Sequence, residues 1–550
     1  MKGSRTSRTA IVLGSALLFL CAEGLSVRAA RAEPLLCGVD DPSLGIEQPN
    51  LDDEVSPSWT LGRKRVLYIR VRFADQPNEP EAKRDAKRKM AEVDRFFRAN
   101  SNDALSLKTK ITRTYVLPKT NAEYTVQGLT PIRDDALAAA LADGKDYRDY
   151  DFDVVQFADG PTGFSGTATI GGRGCWPKHT SAGIAIHELG HNLGLHHANA
   201  WVTENESVIG PGFHLEYGDD SDTMGPAIGS IFHFNAHHKA ALSWIAPEHV
   251  QTVTASGGYR IFAHDLRESA AELRALKIPR DGSPNYWVEF RQLLTGNRWL
   301  LNGAGLRRAS PVINPTGTQL LDTTPGSPKG RPDAAITIGS TFSDEEAGIY
   351  VTPVARGDTL SPSLDVVVNV GDHSANQAPS VTIEADTLVT EIQSDVTFSA
   401  AASDPDGDEL AYHWEFGDGS FGANSATVSA SWYQENEYVV RCSVTDMKGG
   451  TASDSLVVSV GPVTTFRISG LVTFDGVGLA GVHVHNGLLG SANRGAYTDP
   501  DGAYTIAGVE TGAHTLIAAK YGYVLEPVGF TNPIVVGPSV EDIDYLAASD

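Results

Sequence analysis

Apolar and polar residues alternate along two short stretches in the first half of the chain. Positions 65–73 and 151–157 carry this two-residue period, which predicts strands with one face turned toward a core. Between them, positions 83–99 are rich in charge and have the pattern of a helix. Because strands and helices mix in this way, we expect an α+β domain over residues 60–248.

The pattern changes after residue 248, where short apolar runs are separated by Gly, Pro and Asn. Such runs, at 286–290, 335–338 and 364–369, predict strands. We therefore expect residues 249–371 to form a β-rich extension packed on the first domain. Residues 372–379 follow as a polar stretch that has no period and ends in a proline, which predicts a linker.

The last third of the chain has the pattern of strands throughout. Residues 380–461 carry regularly spaced β runs, as a small sandwich does. A proline at position 462 separates them from a final β segment, residues 465–550. The expected fold class is an α+β domain with a β-rich extension, followed by two all-β sandwich-type modules.

The first 32 residues have the pattern of a secretory signal peptide. Basic residues at 2, 5 and 8 precede an apolar run at 11–20, and residues 30–32 form a small-x-small cleavage site. Cleavage there would leave an N-terminal tail, residues 33–59. No later segment approaches the roughly 18 apolar residues of a membrane span. We expect an exported, extracellular protein without a membrane span.

The charge balance excludes one class of partner. The chain has 68 Asp and Glu against 44 Lys and Arg, a formal net charge of −24. A protein that binds nucleic acid or an anionic membrane needs concentrated positive charge, and this chain has no long Lys or Arg run. We therefore expect no nucleic-acid partner.

Three histidines near residue 190 have the spacing of a zinc site. His187 and His191 lie four residues apart, so a helix presents both imidazoles to one ion. Gly194 can end that helix with a positive φ and bring His197 back as a third ligand. Three protein ligands leave a fourth position for water, which is a catalytic and not a structural arrangement. A His-rich surface helix is the alternative.

Two neighbours of these histidines have expected roles. Glu188 lies about 100° around the helix from His187, where its carboxylate can reach a metal-bound water without ligating the ion. It is the expected general base. His196 precedes the third ligand. We expect its side chain either to be solvated or to contact one of the metal ligands without binding the ion itself.

This stretch resembles a known family. The order His187, Glu188, His191, Gly194 and His197, followed by Met224 in Ser-Asp-Thr-Met-Gly, resembles the metzincin zinc endopeptidases with their Met-turn. Residues 216–225 and 234–244 resemble, more narrowly, the gametolysin family of secreted peptidases. The resemblance implies that Met224 forms an apolar floor beneath the zinc. Pro226 stands where some metzincins have a Tyr, so the oxyanion partner besides zinc is unassigned, although Tyr217 is nearby in sequence.

These features predict a secreted zinc-dependent metalloendopeptidase. Glu188 would take the proton of a zinc-activated water and deliver it to the leaving amine of an extracellular protein or glycoprotein substrate. Residues 166–173 are expected to form an edge strand that pairs with a substrate, with an interior strand as the alternative. The competing function is an adhesive or scaffolding surface protein whose peptidase-like domain is inactive.

The cysteines allow two interpretations. In an exported protein, Cys37 and Cys175 could form a disulfide that ties the tail to the segment before the zinc helix. Alternatively, residues 36–40 resemble part of a matrixin cysteine switch, which would place the Cys37 thiolate in the fourth zinc position. Cys442 lies in a β run and is expected to be a buried free thiol.

Both C-terminal modules resemble known domains. Residues 380–461 resemble a PKD domain, the immunoglobulin-like module of many secreted hydrolases, through 403–408 and 414–419. Within it, Asp404, Asp406 and Asp408 form a candidate calcium (Ca²⁺) site, with a solvated turn as the alternative. Residues 465–550 resemble a carboxypeptidase regulatory-like, prealbumin-type module. The two modules are expected to attach the enzyme to a polymer or a surface.

Overall fold

The computed structural model describes most of the chain after residue 55. The described residues are 56–158, 164–178, 180–204, 207–226, 231–267, 271–280, 284–309, 317–325, 327, 330–357, 361–488, 493–499 and 501–550. The predicted signal peptide and residues 33–55 of the predicted tail lie outside them. Within these ranges, no helix combines the length and the apolar character needed to cross a membrane.

The α-helices of the described residues all lie in the first 301 positions. They are α1 (Pro57–Thr60), α2 (Lys83–Asn100), α3 (Asn121–Gln127), α4 (Leu129–Ala142), α5 (Ala182–Asn192), α6 (Ala236–Ala241) and α7 (Arg298–Leu301). Helix α2 confirms the prediction for 83–99, and it buries Met90, Val93 and Phe97 at the three- and four-residue spacing of one helix face. Helix α3 begins with a capping box between Thr120 and Glu123.

Fifteen strands lie in the described residues up to position 370. They are β1 (Gly62–Arg72), β2 (Leu105–Val116), β3 (Phe152–Gln156), β4 (Ala198–Thr203), β5 (Gly212–Leu215), β6 (Val250–Thr252), β7 (Gly257–Phe262), β8 (Ala275–Ile278), β9 (Asn285–Glu289), β10 (Gly303–Ala309), β11 (Thr318–Leu321), β12 (Ile336–Thr337), β13 (Phe342–Asp344), β14 (Ile349–Arg356) and β15 (Ser363–Val370). The strands predicted at 65–73 and 151–157 are thus confirmed as β1 and β3.

The remaining described strands belong to the C-terminal modules. They are β16 (Ser380–Ala385), β17 (Val389–Thr390), β18 (Val396–Ser403), β19 (Ala411–Glu415), β20 (Thr427–Ala430), β21 (Asn436–Thr445), β22 (Thr451–Val460), β23 (Phe466–Phe474), β24 (Val477–Gly478), β25 (His483–His485), β26 (Gly495–Tyr497), β27 (Ala503–Val509), β28 (Gly512–His514), β29 (Ile517–Ala519), β30 (Tyr523–Val528), β31 (Ile534–Val536) and β32 (Asp544–Ser549).

A parallel sheet with strand order β2-β1-β3 forms the centre of the first domain. Its middle strand is buried on both faces, because helices cover both sides. Val66 and Tyr68 pack with α2 and α5, while Leu67 and Ile69 pack with α3 and α4. Alternate residues of β1 therefore enter two separate cores, as expected for a covered parallel sheet.

The β-rich extension shares a sheet with the first domain. The strand order is β5-β4-β11-β10-β9-β8-β6, with β12 paired to β10. Strand β11 of the extension pairs in parallel with β4, which begins directly after His197. A second sheet, β13-β14-β15-β7, packs on it through residues such as Val288, Leu306 and Val366. The predicted boundary at residue 248 therefore cuts through a continuous sheet.

The two C-terminal modules are built from strands alone in the described residues. Sheets β16-β18-β20 and β17-β22-β21-β19 enclose a core around Trp414 and Trp432. The last module contains the sheets β24-β23-β32-β30, with β27 paired to β23, β26-β25-β29 and β28-β31. The predicted linker, 372–379, is fastened to the first of these modules, because Asn376 donates to Asp446 and Gln377 donates to Asp406.

Candidate metal centre

Helix α5 places two of the three predicted histidine ligands on one face. The helix begins at Ser181, whose hydroxyl accepts from the Gly183 N–H. After its last residue, Asn192, the chain turns at Gly194, which has φ +106°, and the Leu195 N–H donates back to the Gly190 carbonyl. This ending confirms the predicted role of Gly194, since the turn leads the chain back toward the helix.

His187, His191 and His197 converge on one point. One ring nitrogen of each lies within 4.8 Å of the others, and within the described residues no other group of His, Cys, Asp and Glu was found to gather in this way. The Nε2 atoms of His187 and His191 are 3.1 Å apart. Nitrogens bound at about 2.0–2.1 Å to a tetrahedral zinc lie about 3.3 Å apart. The three residues can therefore bind a metal ion.

The opposite ring nitrogen of each histidine is held by an acceptor. Nδ1 of His187 lies 2.8 Å from the Thr223 carbonyl oxygen, and Nδ1 of His191 lies 2.7 Å from the Leu195 carbonyl oxygen. Nδ1 of His197 lies 2.6 Å from Oε1 of Glu216. An acceptor at Nδ1 places the proton there and leaves the Nε2 lone pair for a metal.

Burial keeps these imidazoles neutral. The three side chains are at most 4% exposed. Burial lowers the pKa of His187 to about 4. Burial, followed by the neighbouring imidazoles, lowers the pKa of His191 and of His197 well below the usual range. In addition, the buried Nε2 of His197 has no hydrogen-bond partner. Neutral nitrogens with free lone pairs are the form that a metal binds.

Glu188 lies against the segment that precedes the helix. Its side chain is 2% exposed. A Cβ atom added to Gly166 would lie 2.4 Å from Oε1 of Glu188, so only glycine allows this approach. Burial first, and the charge of Glu188 second, raise the pKa of the Cys175 thiol. The carboxylate therefore occupies a closely packed position against the segment before α5.

The segment predicted as a rim strand lies at the outside of the first sheet. Ala168 bridges to Cys175 in antiparallel orientation, and Cys175 bridges in parallel to Val154 of β3. The Trp176 N–H donates to the Thr167 carbonyl, which extends the same pairing. Ala168 and Thr167 are fully buried, so both interpretations of 166–173, edge strand and interior strand, stay predictions.

Met224 lies in the turn expected from the sequence. Its side chain is fully buried, and a Cβ added to Gly190 would lie 2.4 Å from its sulfur. Asp222 shapes this turn, because its Oδ1 accepts from the Met224 N–H and its Oδ2 accepts from Asn235. The turn thus packs beneath α5 and also supplies the Thr223 carbonyl that holds His187.

Buried charges attach the turn to the extension, and no local pattern of residues predicts these contacts. Arg307 donates through Nε to Asp219, at 2.6 Å, and through its terminal nitrogens to Glu289 and Ser221. Arg291 donates to Glu289 and to the Ser221 carbonyl. These charged side chains are at most 2% exposed. Two arginines of the extension therefore hold the start of the Met224 turn.

Sequence reasoning missed Glu216 as a partner of the third histidine. His197 precedes β4 and Glu216 follows β5, and no spacing rule links the two ends of a hairpin, so their proximity emerges only from the fold. The ring of Tyr217, which the sequence analysis left without a role, lies 4.2 Å from the His197 ring between centroids. His196 is partly buried and does not join the three-histidine cluster.

The structure does not bring the three aspartates of the candidate calcium site together. Asp404 accepts from the N–H groups of Asp406 and Asp408, whereas Asp406 holds Gln377. Asp408 forms an ion pair with Lys448. The carboxylates therefore serve local contacts, as in the alternative of a plain turn, and calcium binding gains no support from this geometry.

The cysteine predictions are tested only in part. Cys37 lies outside the described residues, so its disulfide with Cys175 and its role as a switch stay predictions. Cys175 is fully buried. Cys442 is a buried free thiol, as expected.

Comparison with known proteins locates one domain. Residues 376–460 match the family model of the PKD domain, which confirms the module predicted at 380–461. The PKD1 domain of Vibrio anguillarum Epp is 32% identical, covering 16% of this chain and 95% of that chain, with a TM-score of 0.13. The PKD1 domain from Vibrio cholerae metalloprotease PrtV is 27% identical, covering 16% and 100%, with a TM-score of 0.14.

One curated relative is similar over a longer stretch. Collagenase ColA of Clostridium perfringens (strain 13 / Type A) is 33% identical over 104 residues, which are 19% of this chain and 9% of the collagenase. Since the match spans only that small share of the collagenase, the similarity concerns one part of that protein and not its whole activity.

Proposed function

We propose that the protein is a secreted zinc endopeptidase of the metzincin type, resembling the gametolysin family. The observation that carries the proposal is the convergence of His187, His191 and His197 on one point, with Glu188 next to the first of them. Three neutral nitrogen donors match the ligand set of catalytic zinc. The PKD domain and the partial similarity to a collagenase support a secreted protease.

The side chains divide the chemistry of peptide hydrolysis between them. A zinc ion, when bound by the three histidines, would supply a Lewis acid that activates water and polarises the scissile carbonyl. Glu188 would accept a proton from the attacking water and deliver it to the leaving amine. In the edge-strand interpretation, residues 166–173 would align an extended substrate by main-chain hydrogen bonds.

The other parts of the chain have supporting roles in this proposal. Residues 1–32 would direct export. The PKD domain and the module at 465–550, which resembles a carboxypeptidase regulatory-like domain, would attach the enzyme to polymeric proteins or glycoproteins. The Met224 turn would support the metal ligands from below, since it holds His187 through the Thr223 carbonyl.

Two variants test the proposal separately for metal and for chemistry. His191→Ala should lose the bound zinc, measured by elemental analysis of the purified protein, because one of three ligands is gone. Glu188→Ala should keep zinc and lose proteolysis by about 10²–10⁴-fold, since its carboxylate acts on protons. His249→Ala, a histidine of the extension, is the matched control.

Each outcome has a distinct meaning. Full zinc occupancy in His191→Ala would refute the metal assignment, and wild-type digestion of an unfolded protein by Glu188→Ala would refute the general base. A wild-type protein that holds zinc but cleaves no peptide would support the adhesive or scaffolding alternative.

A further inference from the structure

The third histidine is held differently from the other two. His187 and His191 lie on α5, and main-chain carbonyl oxygens fix their Nδ1 atoms. His197 lies beyond the end of the helix, just before β4, and its Nδ1 contacts the carboxylate of Glu216. This ligand therefore depends on a side chain of the β4–β5 hairpin.

The hairpin geometry brings Glu216 to this position. Strands β4 and β5 pair in antiparallel orientation, with Ala200 opposite Leu215, so the end of β5 meets the start of β4. Tyr217 then adopts φ +58°, and its N–H donates to Asn199 at 3.0 Å. A Cβ at Gly218 would lie 2.6 Å from that of Ala200, so the turn passes close to β4.

We propose that Glu216 is a positioning residue that makes His197 a stronger metal ligand. A carboxylate at Nδ1 fixes the tautomer whose Nε2 lone pair faces the metal, and its negative charge increases the donor strength of the ring. The Glu216 side chain is 48% exposed, so it can be changed without opening a core. The inference rests on the proposed function only in requiring that the three histidines bind zinc.

The test compares Glu216→Gln and Glu216→Ala with the wild-type protein. Each full-length protein is loaded with zinc, and its zinc affinity and release rate are measured with a colorimetric chelator. Glu216→Ala should bind zinc about 10–100-fold more weakly, the usual loss for such a partner. Glu216→Gln should lie between, because its amide oxygen still accepts from Nδ1 but carries no charge. Glu204→Gln, an exposed carboxylate at the end of β4, should match the wild type.

A second readout separates positioning from a structural role. The thermal midpoint of the zinc-free protein should be the same in all four proteins, whereas the stabilisation on adding zinc should fall in the order wild type, Gln, Ala. Wild-type zinc affinity in both Glu216 variants would overturn the inference. So would a thermal midpoint that falls as much in the zinc-free variants as in the zinc-loaded ones.

The wild-type measurements keep this inference distinct from the proposed function. A wild-type protein that binds zinc and cleaves no peptide contradicts the peptidase proposal, while the order of zinc affinities still decides the role of Glu216. A wild-type protein that binds no zinc overturns both.

Discussion

Arg307 should be among the residues on which the stability of residues 56–371 depends most. Its guanidinium contacts Asp219, Glu289 and Ser221, and the charged partners are at most 2% exposed. Arg307→Met keeps an apolar stem of similar length and removes these contacts. The variant leaves two buried carboxylates with fewer partners, and breaking a buried pair costs about 3–5 kcal/mol.

The lower end of that range applies here. Glu289 keeps Arg291, and Asp219 keeps the Ser221 N–H, so each carboxylate retains some compensation. At about 2–4 °C per kcal/mol, a loss of about 3 kcal/mol lowers the thermal midpoint by roughly 6–12 °C. Scanning calorimetry of the full-length protein measures it, with the affected transition assigned from a fragment of residues 33–371.

The matched control is Arg260→Met. Arg260 also forms a two-pronged pair with Asp365, but its side chain is 58% exposed, so solvent screens the pair and we expect a much smaller shift of the thermal midpoint. Equal midpoint shifts in the two variants would refute the reasoning. Arg307→Met should also release zinc faster. Arg307 holds Ser221 at the start of the turn whose Thr223 carbonyl fixes His187.

Three further predictions follow from the same contacts. Gly166→Ala should keep zinc but lose at least about 10-fold in peptide cleavage, because the new Cβ would meet the Glu188 carboxylate. Burial lowers the pKa of Lys239 from 10.5 to about 7. Between these two pH values the unfolded chain therefore binds a proton at Lys239 that the folded protein does not. Stability relative to Lys239→Met should therefore rise between pH 7 and 10.5, by at most about 1.4 kcal/mol per pH unit, in urea titrations. A 33–371 fragment should keep cleavage of short peptides but degrade an insoluble polymer less well.

Each of these has a contrary outcome. Gly296→Ala, where the added Cβ meets nothing within 4 Å, should be silent, and a silent Gly166→Ala would contradict the close packing at Glu188. A stability difference between wild type and Lys239→Met that does not change with pH would show that Lys239 keeps its proton in the fold. Loss of short-peptide cleavage in a well-folded fragment would show that the C-terminal modules help to build the site.

Features that depend on near neighbours in sequence were predictable. His187 and His191 share a helix, and Gly194 ends that helix, so local geometry alone brings the ligands together. Strand β1 and helix α2 follow from periodicity for the same reason. Each of these predictions depends on residues within one helix or one strand.

Contacts between distant segments could not be predicted. Arg307 and Asp219 are 88 positions apart, and nothing in the local pattern of either residue specifies the other. Local spacing alone left two interpretations open in one case: Asp404, Asp406 and Asp408 alternate as calcium ligands do, whereas one carboxylate caps its own loop and another pairs with Lys448. Spacing brings side chains near one another but does not decide which partner each takes.

The extension supports the candidate metal centre, although its composition does not indicate this role. Strand β11 pairs with β4 beginning at Ala198, and the Thr318 N–H faces the carbonyl of His197 itself. The same extension supplies the two arginines that hold Ser221. His197 and the Met224 turn are therefore both supported by residues beyond position 248. A candidate metal site held between helix α5 and this sheet gains rigidity from both, which favours fixed ligand geometry over a mobile one.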